Sequence, residues 1–344
     1  MDHATVNNRM VLVTGGSGFV GLWTIATLLQ RGYAVRAIIR DSRNGQEVRE
    51  AIETHTENGH RLSIVSGDLI SDERWKAALR DCDSVIHLAC VATGTKVHPQ
   101  EVVRTEQTMT CNVVASALHA NVRRVVIISP LEAMARAGDQ APATNVEADW
   151  WTNLIFRRVD GHIRAKLRAE RTAWELMNQR SWSATTLTSV LPGAVIGAGL
   201  SLKLGCDYRG STEMIGRMMR GSLSRIPRIG FHLVDVRDLA DVLVRAMESD
   251  HAAGQRFVAT SGYLWASEIA SIMRDNLGRL SRNVPTKECP HLIAWFQAFA
   301  HRDTTFFGRP IKQYIDIIPT KAMQMLGWCP RPLSDSVIDA ALMH

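Results

Sequence analysis

Residues 11–21 read Val-Leu-Val-Thr-Gly-Gly-Ser-Gly-Phe-Val-Gly, an apolar β-branched run, then glycines at 15, 18 and 21, then an amphipathic stretch. No other feature restricts the fold as strongly. Glycine at these positions lets the chain turn tightly out of a strand, bring its backbone against a pyrophosphate, and pack the next helix close on that strand. The N–H groups and dipole of the helix then meet the phosphates. A glycine triplet alone also suits a simple turn. Placed near the N-terminus, between a strand and a helix, it favours a dinucleotide cradle.

The alternation continues through the first half of the chain. Strands are expected at 10–14, 34–39, 62–65, 84–88, 125–129 and 184–189, with helices at 22–31, 74–79 and 101–120. This is the pattern of βαβ units, and it predicts an α/β fold with a Rossmann-type doubly wound parallel sheet. Beyond Leu191 the texture changes. Pro192, Gly193, Gly197, Gly199 and Gly205 fall close together before a Met-rich segment, residues 213–220, whose apolar and basic positions suit a half-buried helix. The expected division is a nucleotide-binding domain over residues 1–190, with a return around 231–260. A smaller C-terminal substrate domain would take 191–230 and 261–344.

The end of the second strand narrows the choice of nucleotide. NAD-binding proteins usually place an acidic residue there for the adenosine ribose, whereas this chain offers Arg36 and Arg40, followed by Arg43. A guanidinium matches a 2′-phosphate in charge and fork geometry, so NADP(H) is the expected cofactor. The alternative is a solvated edge on which Asp41 neutralises Arg40. Asp68, after the third strand, suits the adenine amino group, or equally the capping of a turn.

Composition sets the remaining bounds. With 344 residues, 46% of them apolar, the chain can bury a large core. The six cysteines form no CxxC or Cys/His cluster, so neither a metal site nor a disulfide framework is expected. The net charge of +6 is spread among acidic residues, which argues against nucleic-acid binding. No apolar run approaches the ~18–20 residues of a membrane span, and Asp2 and His3 stand where a signal peptide would carry lysines. A cytoplasmic protein with no membrane partner is expected.

Further segments carry a family resemblance: Arg36-Ala-Ile-Ile-Arg-Asp41, Gly67-Asp-Leu69, Val85-Ile-His-Leu-Ala89, Asn112-Val-Val114, Leu191-Pro-Gly-Ala-Val-Ile-Gly197, Leu233-Val-Asp-Val-Arg-Asp-Leu-Ala-Asp241 and Leu326-Gly-Trp328. With residues 11–21, they resemble the extended short-chain dehydrogenase/reductases of the NAD-dependent epimerase/dehydratase superfamily, in the branch of dihydroflavonol, cinnamoyl-CoA and aldehyde reductases. The resemblance implies a Rossmann domain with a smaller C-terminal substrate domain. It implies that Gly15, Gly18 and Gly21 hold the pyrophosphate, with Ser17 and Phe19 in the same loop, and that Arg40 takes the 2′-phosphate. Asp68 and Leu69 would flank adenine, Leu88 and Ala89 would line the dinucleotide path, and Pro192, Gly193 and Val195 would sit beside the nicotinamide.

The catalytic centre departs from the family. Its members usually carry Tyr-x-x-x-Lys, in which lysine contacts the nicotinamide ribose and lowers the tyrosine pKa. The matching frame here is His162-Ile-Arg-Ala-Lys166, fixed by Glu170 and Trp174 downstream. The family's substrate-binding serine falls at Pro130, with Ser129 beside it; a register shift of one would make Ser129 that serine. Imidazole can donate a proton near neutral pH, although a lysine one turn away repels its charged form. Three readings stay open. The first is an NADPH-dependent reductase of a ketone or aldehyde, with His162 as proton donor, Lys166 on the ribose, and Ser129 or a water on the carbonyl. The second is a non-redox isomerase, cyclase or lyase with Glu132 as partner of His162, and the third is a cofactor-binding scaffold without turnover. A histidine that merely starts a helix is a further alternative, and Tyr208 is open equally to a role as substitute phenol or as loop anchor.

By the same resemblance, residues 153–160, 197–210 and the Met-rich helix line the substrate pocket. Trp150, Trp151, Phe156, Leu200, Leu202, Met214 and Met218 suggest an apolar or aromatic small-molecule substrate, with ordinary core as the alternative for the same residues. Many family members dimerise through the helix expected at 101–120, so monomer and homodimer are both compatible with the sequence.

Overall fold

The computed structural model describes residues 9–70, 75–91, 98–131, 161–179, 184–201, 203–204, 212–289 and 317–344. Glu132, Trp150, Trp151, residues 153–160 with Phe156, Leu202, Cys206 and Tyr208 lie outside them.

The N-terminal half is a run of βα units. Strand β1 (Met10–Thr14) leads into helix α1 (Phe19–Gln30), β2 (Ala34–Ile39) into α2 (Gly45–Glu53), and β3 (Leu62–Ser66) into the short α3 (Trp75–Ala78). Then come β4 (Cys82–His87), α4 (Pro99–His119), β5 (Arg124–Ile128), α5 (Gly161–Gln179) and β6 (Thr186–Pro192). Helix α4 begins where His98 caps the backbone N–H of Gln100 and Pro99 takes the first turn, a position that needs no donor.

The sheet is seven-stranded and parallel, in the order β3-β2-β1-β4-β5-β6-β9, where β9 is Arg256–Ala259. Strand order therefore reverses between β1 and β4, and a ligand crevice opens at such a point. Both faces are covered, which is why the strands read as nearly unbroken apolar runs. Val11 and Val13 pack toward α1 and α7 (Val236–Glu248), while Leu12, Val85 and Val125 pack toward α4 and α5. Successive β1 side chains thus serve opposite cores, as the two-residue period requires.

A second, three-stranded sheet has the order β10-β8-β7, from β7 (Ala194–Ile196), β8 (Gly230–Asp235) and β10 (Gly262–Trp265). Helices α6 (Thr212–Met219), α8 (Ala266–Leu277) and α10 (Leu333–Ala341) enclose a separate core against it, and α9 (Thr320–Leu326) packs near β9 and α7. Met214 and Met218 are 4% and 0% exposed in that core, and Leu200 is buried in the main one. These three side chains fill cores, so of the two readings open to them, pocket wall and ordinary core, the structure selects the core. Among the described residues, no helix is long and apolar enough to cross a membrane.

A buried ion pair ties α5 to the far side of the sheet: Arg256 of β9 donates from Nε to Glu170 Oε1 at 2.8 Å, with side chains 5% and 1% exposed. Arg256→Met would strand the Glu170 charge in the interior. Urea unfolding should show a loss of about 3–5 kcal/mol, with most of it regained in the Glu170→Leu/Arg256→Met double variant. A single-variant loss below about 1 kcal/mol, the value of an exposed pair, would remove this bridge as an anchor.

Candidate active site

The positions assigned to the nucleotide gather at the carboxyl ends of the parallel strands. Gly15 follows β1 with φ +72°. A Cβ there would stand 2.8 Å from the backbone nitrogen of Ala89, just past the end of β4. At Gly21 a Cβ would meet the Gly15 carbonyl oxygen at 2.1 Å. Neither position has room for a side chain, so the loop of Gly15, Ser17 and Gly18 lies flat against the neighbouring strand. Gly18 caps α1, whose first residue is Phe19, and the first-turn N–H groups of that helix open toward the loop.

The three arginines separate in the structure. Arg36 donates to the carbonyls of Ala78 and Arg80 at 2.7 and 2.8 Å and so holds the turn after α3. Arg43 pairs with Asp41 at 2.6 Å, and this carboxylate is therefore not the partner of Arg40. Arg40 is exposed at the end of β2. Beside that edge is a small hollow lined by Ile38, Val65, Gly67, Asp68, Leu69, Trp75 and Ala78. Asp68 Oδ1 accepts from the Ile70 N–H at 3.0 Å, the turn-capping bond that the sequence allows as one alternative. Asn112 of α4 donates to the carbonyls of Leu69 and Ile70 at 3.1 and 2.9 Å and fixes this loop on the helix. The indole N–H of Trp75 is buried without a hydrogen-bond partner among the described residues.

Beneath the glycine loop lies a polar chain. The Thr14 hydroxyl oxygen accepts from the N–H groups of Leu88 and Ala89 at 3.2 and 3.3 Å and lies 2.7 Å from His87 Nδ1. With that oxygen already accepting, the hydroxyl proton goes to Nδ1, and Nε2–H points to Thr110 Oγ1 at 3.3 Å. Burial, and then the Lys166 charge, push the His87 pKa down to about 3.

The positions assigned to catalysis lie on α5 and just past β5, against α4. Lys166, 8% exposed, pairs with Glu106 of α4, which is 1% exposed, and its Nζ lies 3.4 Å from the Ala89 carbonyl. Glu106 Oε2 also accepts from the Val91 N–H at 2.8 Å. Burial pushes the Glu106 carboxyl up, but the adjacent ammonium overrides it and holds the group below its ordinary range. Burial likewise pushes Lys166 down, and Glu106 raises it past its ordinary value. The pair is therefore ionised. His162 stands half-buried one turn before Lys166 on α5. Ser129, just past β5, has a hydroxyl that is 1% exposed with no hydrogen-bond partner among the described residues. Pro192 ends β6, Gly193 donates to the Ala259 carbonyl at 3.0 Å, and Val195 lies in β7.

These observations fit a dinucleotide. The loop admits no Cβ at Gly15 or Gly21, the hollow sits beside a solvent-facing guanidinium, and two buried polar hydrogens, on Trp75 and Ser129, have no acceptor among the described residues. Glu106 is absent from the sequence-derived set. Its signal was present, since positions 103, 106, 110, 113 and 117 form one helical stripe of α4 and a carboxylate interrupts its otherwise mostly apolar run.

His87 gives this region a signature in acid. An unfolded chain takes up that proton near pH 6.5 and the folded chain only near 3, so between those values the folded state binds fewer protons. The contribution of His87 to stability is full above 6.5 and falls with pH below it, by up to about 1.4 kcal/mol per pH unit. Urea midpoints should decline over this window, less steeply in His87→Gln. An equal slope in that variant would assign the decline to other groups.

Comparison with known proteins agrees with this architecture. The model for the NAD dependent epimerase/dehydratase family matches residues 11–259. Cinnamoyl-CoA reductase 1 of Petunia hybrida is 28% identical over 276 residues, 78% of each chain. Cinnamoyl-CoA reductase 2 of Arabidopsis thaliana is 28% identical over 339 residues, covering 95% of this chain and 96% of that one. Dihydroflavonol 4-reductase of Zea mays is 29% identical over 77% of this chain and 73% of its own. The solved structure of Gre2 from Candida albicans in complex with NADPH superposes with a TM-score of 0.79 at 22% identity, covering 97% and 98% of the two chains, a likeness of fold. By its matched residues, its sheet order and its glycine loop, the chain belongs to the NAD-dependent epimerase/dehydratase family.

Proposed function

We propose that this protein is an NADPH-dependent reductase of a ketone or aldehyde group on a fairly apolar, aromatic or polyketide-like small molecule, working with a His162–Lys166 pair in place of tyrosine and lysine. One observation carries this reading: the glycine loop, the ionised Lys166 and the unpartnered hydroxyl of Ser129 all lie at the carboxyl ends of the central strands. The reductase names of the relatives support the reaction class, and those for cinnamoyl-CoA and dihydroflavonol support an aromatic substrate.

In this reading Gly15, Ser17, Gly18, Phe19 and Gly21 hold the pyrophosphate at the start of α1. Arg40 takes the 2′-phosphate, and Asp68 and Leu69 border adenine. Leu88 and Ala89 line the path, and Pro192, Gly193 and Val195 border the nicotinamide. When bound, NADPH supplies a hydride to the carbonyl carbon. Lys166 donates to the nicotinamide-side ribose. Ser129 donates its hydroxyl hydrogen to the substrate oxygen, which gives that buried group its acceptor. His162 delivers the proton that the oxygen takes as negative charge builds on it, a role worth about 10²–10⁴-fold in rate. Because Lys166 is paired with Glu106, the two together add no net charge beside His162. The repulsion that an isolated lysine would exert on a protonated imidazole is thereby offset.

Two measurements test the proposal. Arg40→Ala should weaken NADPH by roughly ten- to hundredfold, the loss of a charge-assisted contact, and leave NADH unchanged. Equal affinity of the unaltered chain for the two nucleotides would overturn the choice of NADP(H). The reaction itself is read with 4-deuterated NADPH and a panel of aromatic and polyketide ketones and aldehydes. Deuterium should enter the product, fall about 10²–10⁴-fold with His162→Ala, and be retained with His162→Tyr. Product formed without deuterium and without nucleotide oxidation would replace the reductase with a non-redox enzyme.

A further inference from the structure

The Lys166 ammonium is surrounded in a way that the reaction alone does not explain. It has three N–H donors. One meets Glu106 and a second lies 3.4 Å from the Ala89 carbonyl. Glu106 is held in turn, because its Oε2 accepts from the N–H of Val91 at 2.8 Å. The carboxylate thus bridges the segment after β4 to helix α5 and is 1% exposed while doing so. A lysine buried to this degree without a carboxylate would lose its proton, and its unbranched chain would have several rotamers open to it.

We propose that Glu106 is a positioning residue for Lys166: it keeps the ammonium charged and occupies its donors on the protein side, leaving one donor for the ribose on the nicotinamide half of NADP(H). This rests on the reading that NADP(H) occupies the crevice. Glu106 touches neither nucleotide nor substrate and acts through Lys166 alone. Its effect is therefore confined to the nicotinamide half of the ligand. The adenosine half meets Arg40 and the hollow beside Trp75, on the other side of the glycine loop, where Glu106 has no contact.

Calorimetric titration of the full chain with NADPH and with 2′,5′-ADP separates the two halves, since 2′,5′-ADP carries the 2′-phosphate and adenine but lacks the nicotinamide ribose. Glu106→Gln, which keeps the size of the side chain and removes its charge, should weaken NADPH roughly ten- to hundredfold and leave 2′,5′-ADP unchanged. Lys166→Met should do the same, and the double variant should lose no more than either single one, because both changes remove one contact. If Glu106→Gln does not fold, Glu106→Asp retains the charge but shortens its reach, and the same selective loss is expected. NADPH binding unchanged in the variants would overturn the proposal. So would equal weakening of NADPH and 2′,5′-ADP, the mark of a merely structural residue. If the unaltered chain binds neither ligand, the cofactor reading itself fails, an outcome distinct from both.

Discussion

Between β1 and β4 the strand order reverses, and there the backbone of Gly15 approaches that of Leu88 and Ala89 so closely that even a methyl group would collide. That approach fixes the remaining geometry. It allows the Thr14 hydroxyl to take the N–H groups of Leu88 and Ala89, and it sets the start of α1 over the crevice. Because the Ala89 carbonyl is one of the groups beside Lys166, the glycine loop and the helix carrying His162 share a single piece of scaffold. A displacement at the glycine loop would be felt at Lys166.

Helix α5 is held by charges that the interior makes costly. Lys166 pairs with Glu106 on one side, and Glu170, one turn later, pairs with Arg256 on β9. Each ion pair gives up several kcal/mol of hydration per ion, so neither is mainly a source of net stability. Their effect is on specificity. A rotation of α5 would leave buried charges unpaired at a cost of several kcal/mol, which favours the orientation that sets where His162 and Lys166 stand.

Much of the fold was legible in local pattern. The strands expected at 34–39 and 62–65 differ from β2 and β3 by at most one residue, because β-branched runs between turn signals have few other solutions. Strand β9 was harder, since its four residues carry no distinctive period. The site was legible where chemistry is encoded by residue type and spacing, as in the glycine loop and the His162–Lys166 separation. It was not legible where competing residues have the same chemistry. Arg36, Arg40 and Arg43 are equivalent as letters, and only the turn after α3 and the nearness of Asp41 to Arg43 set Arg40 apart.

The sequence by itself determined the α/β alternation, the glycines at 15, 18 and 21 and the four-residue separation of His162 and Lys166, because each is a property of neighbouring residues or of helical spacing. The tertiary structure decided which charges meet. Glu106 is remote from Lys166 in the chain, and no local rule pairs them; their partnership follows from packing α4 against α5 over the same face of the sheet. Met214 and Met218 were settled in the same way: their spacing suits a pocket wall or a core, and the surrounding helices α8 and α10 made it a core.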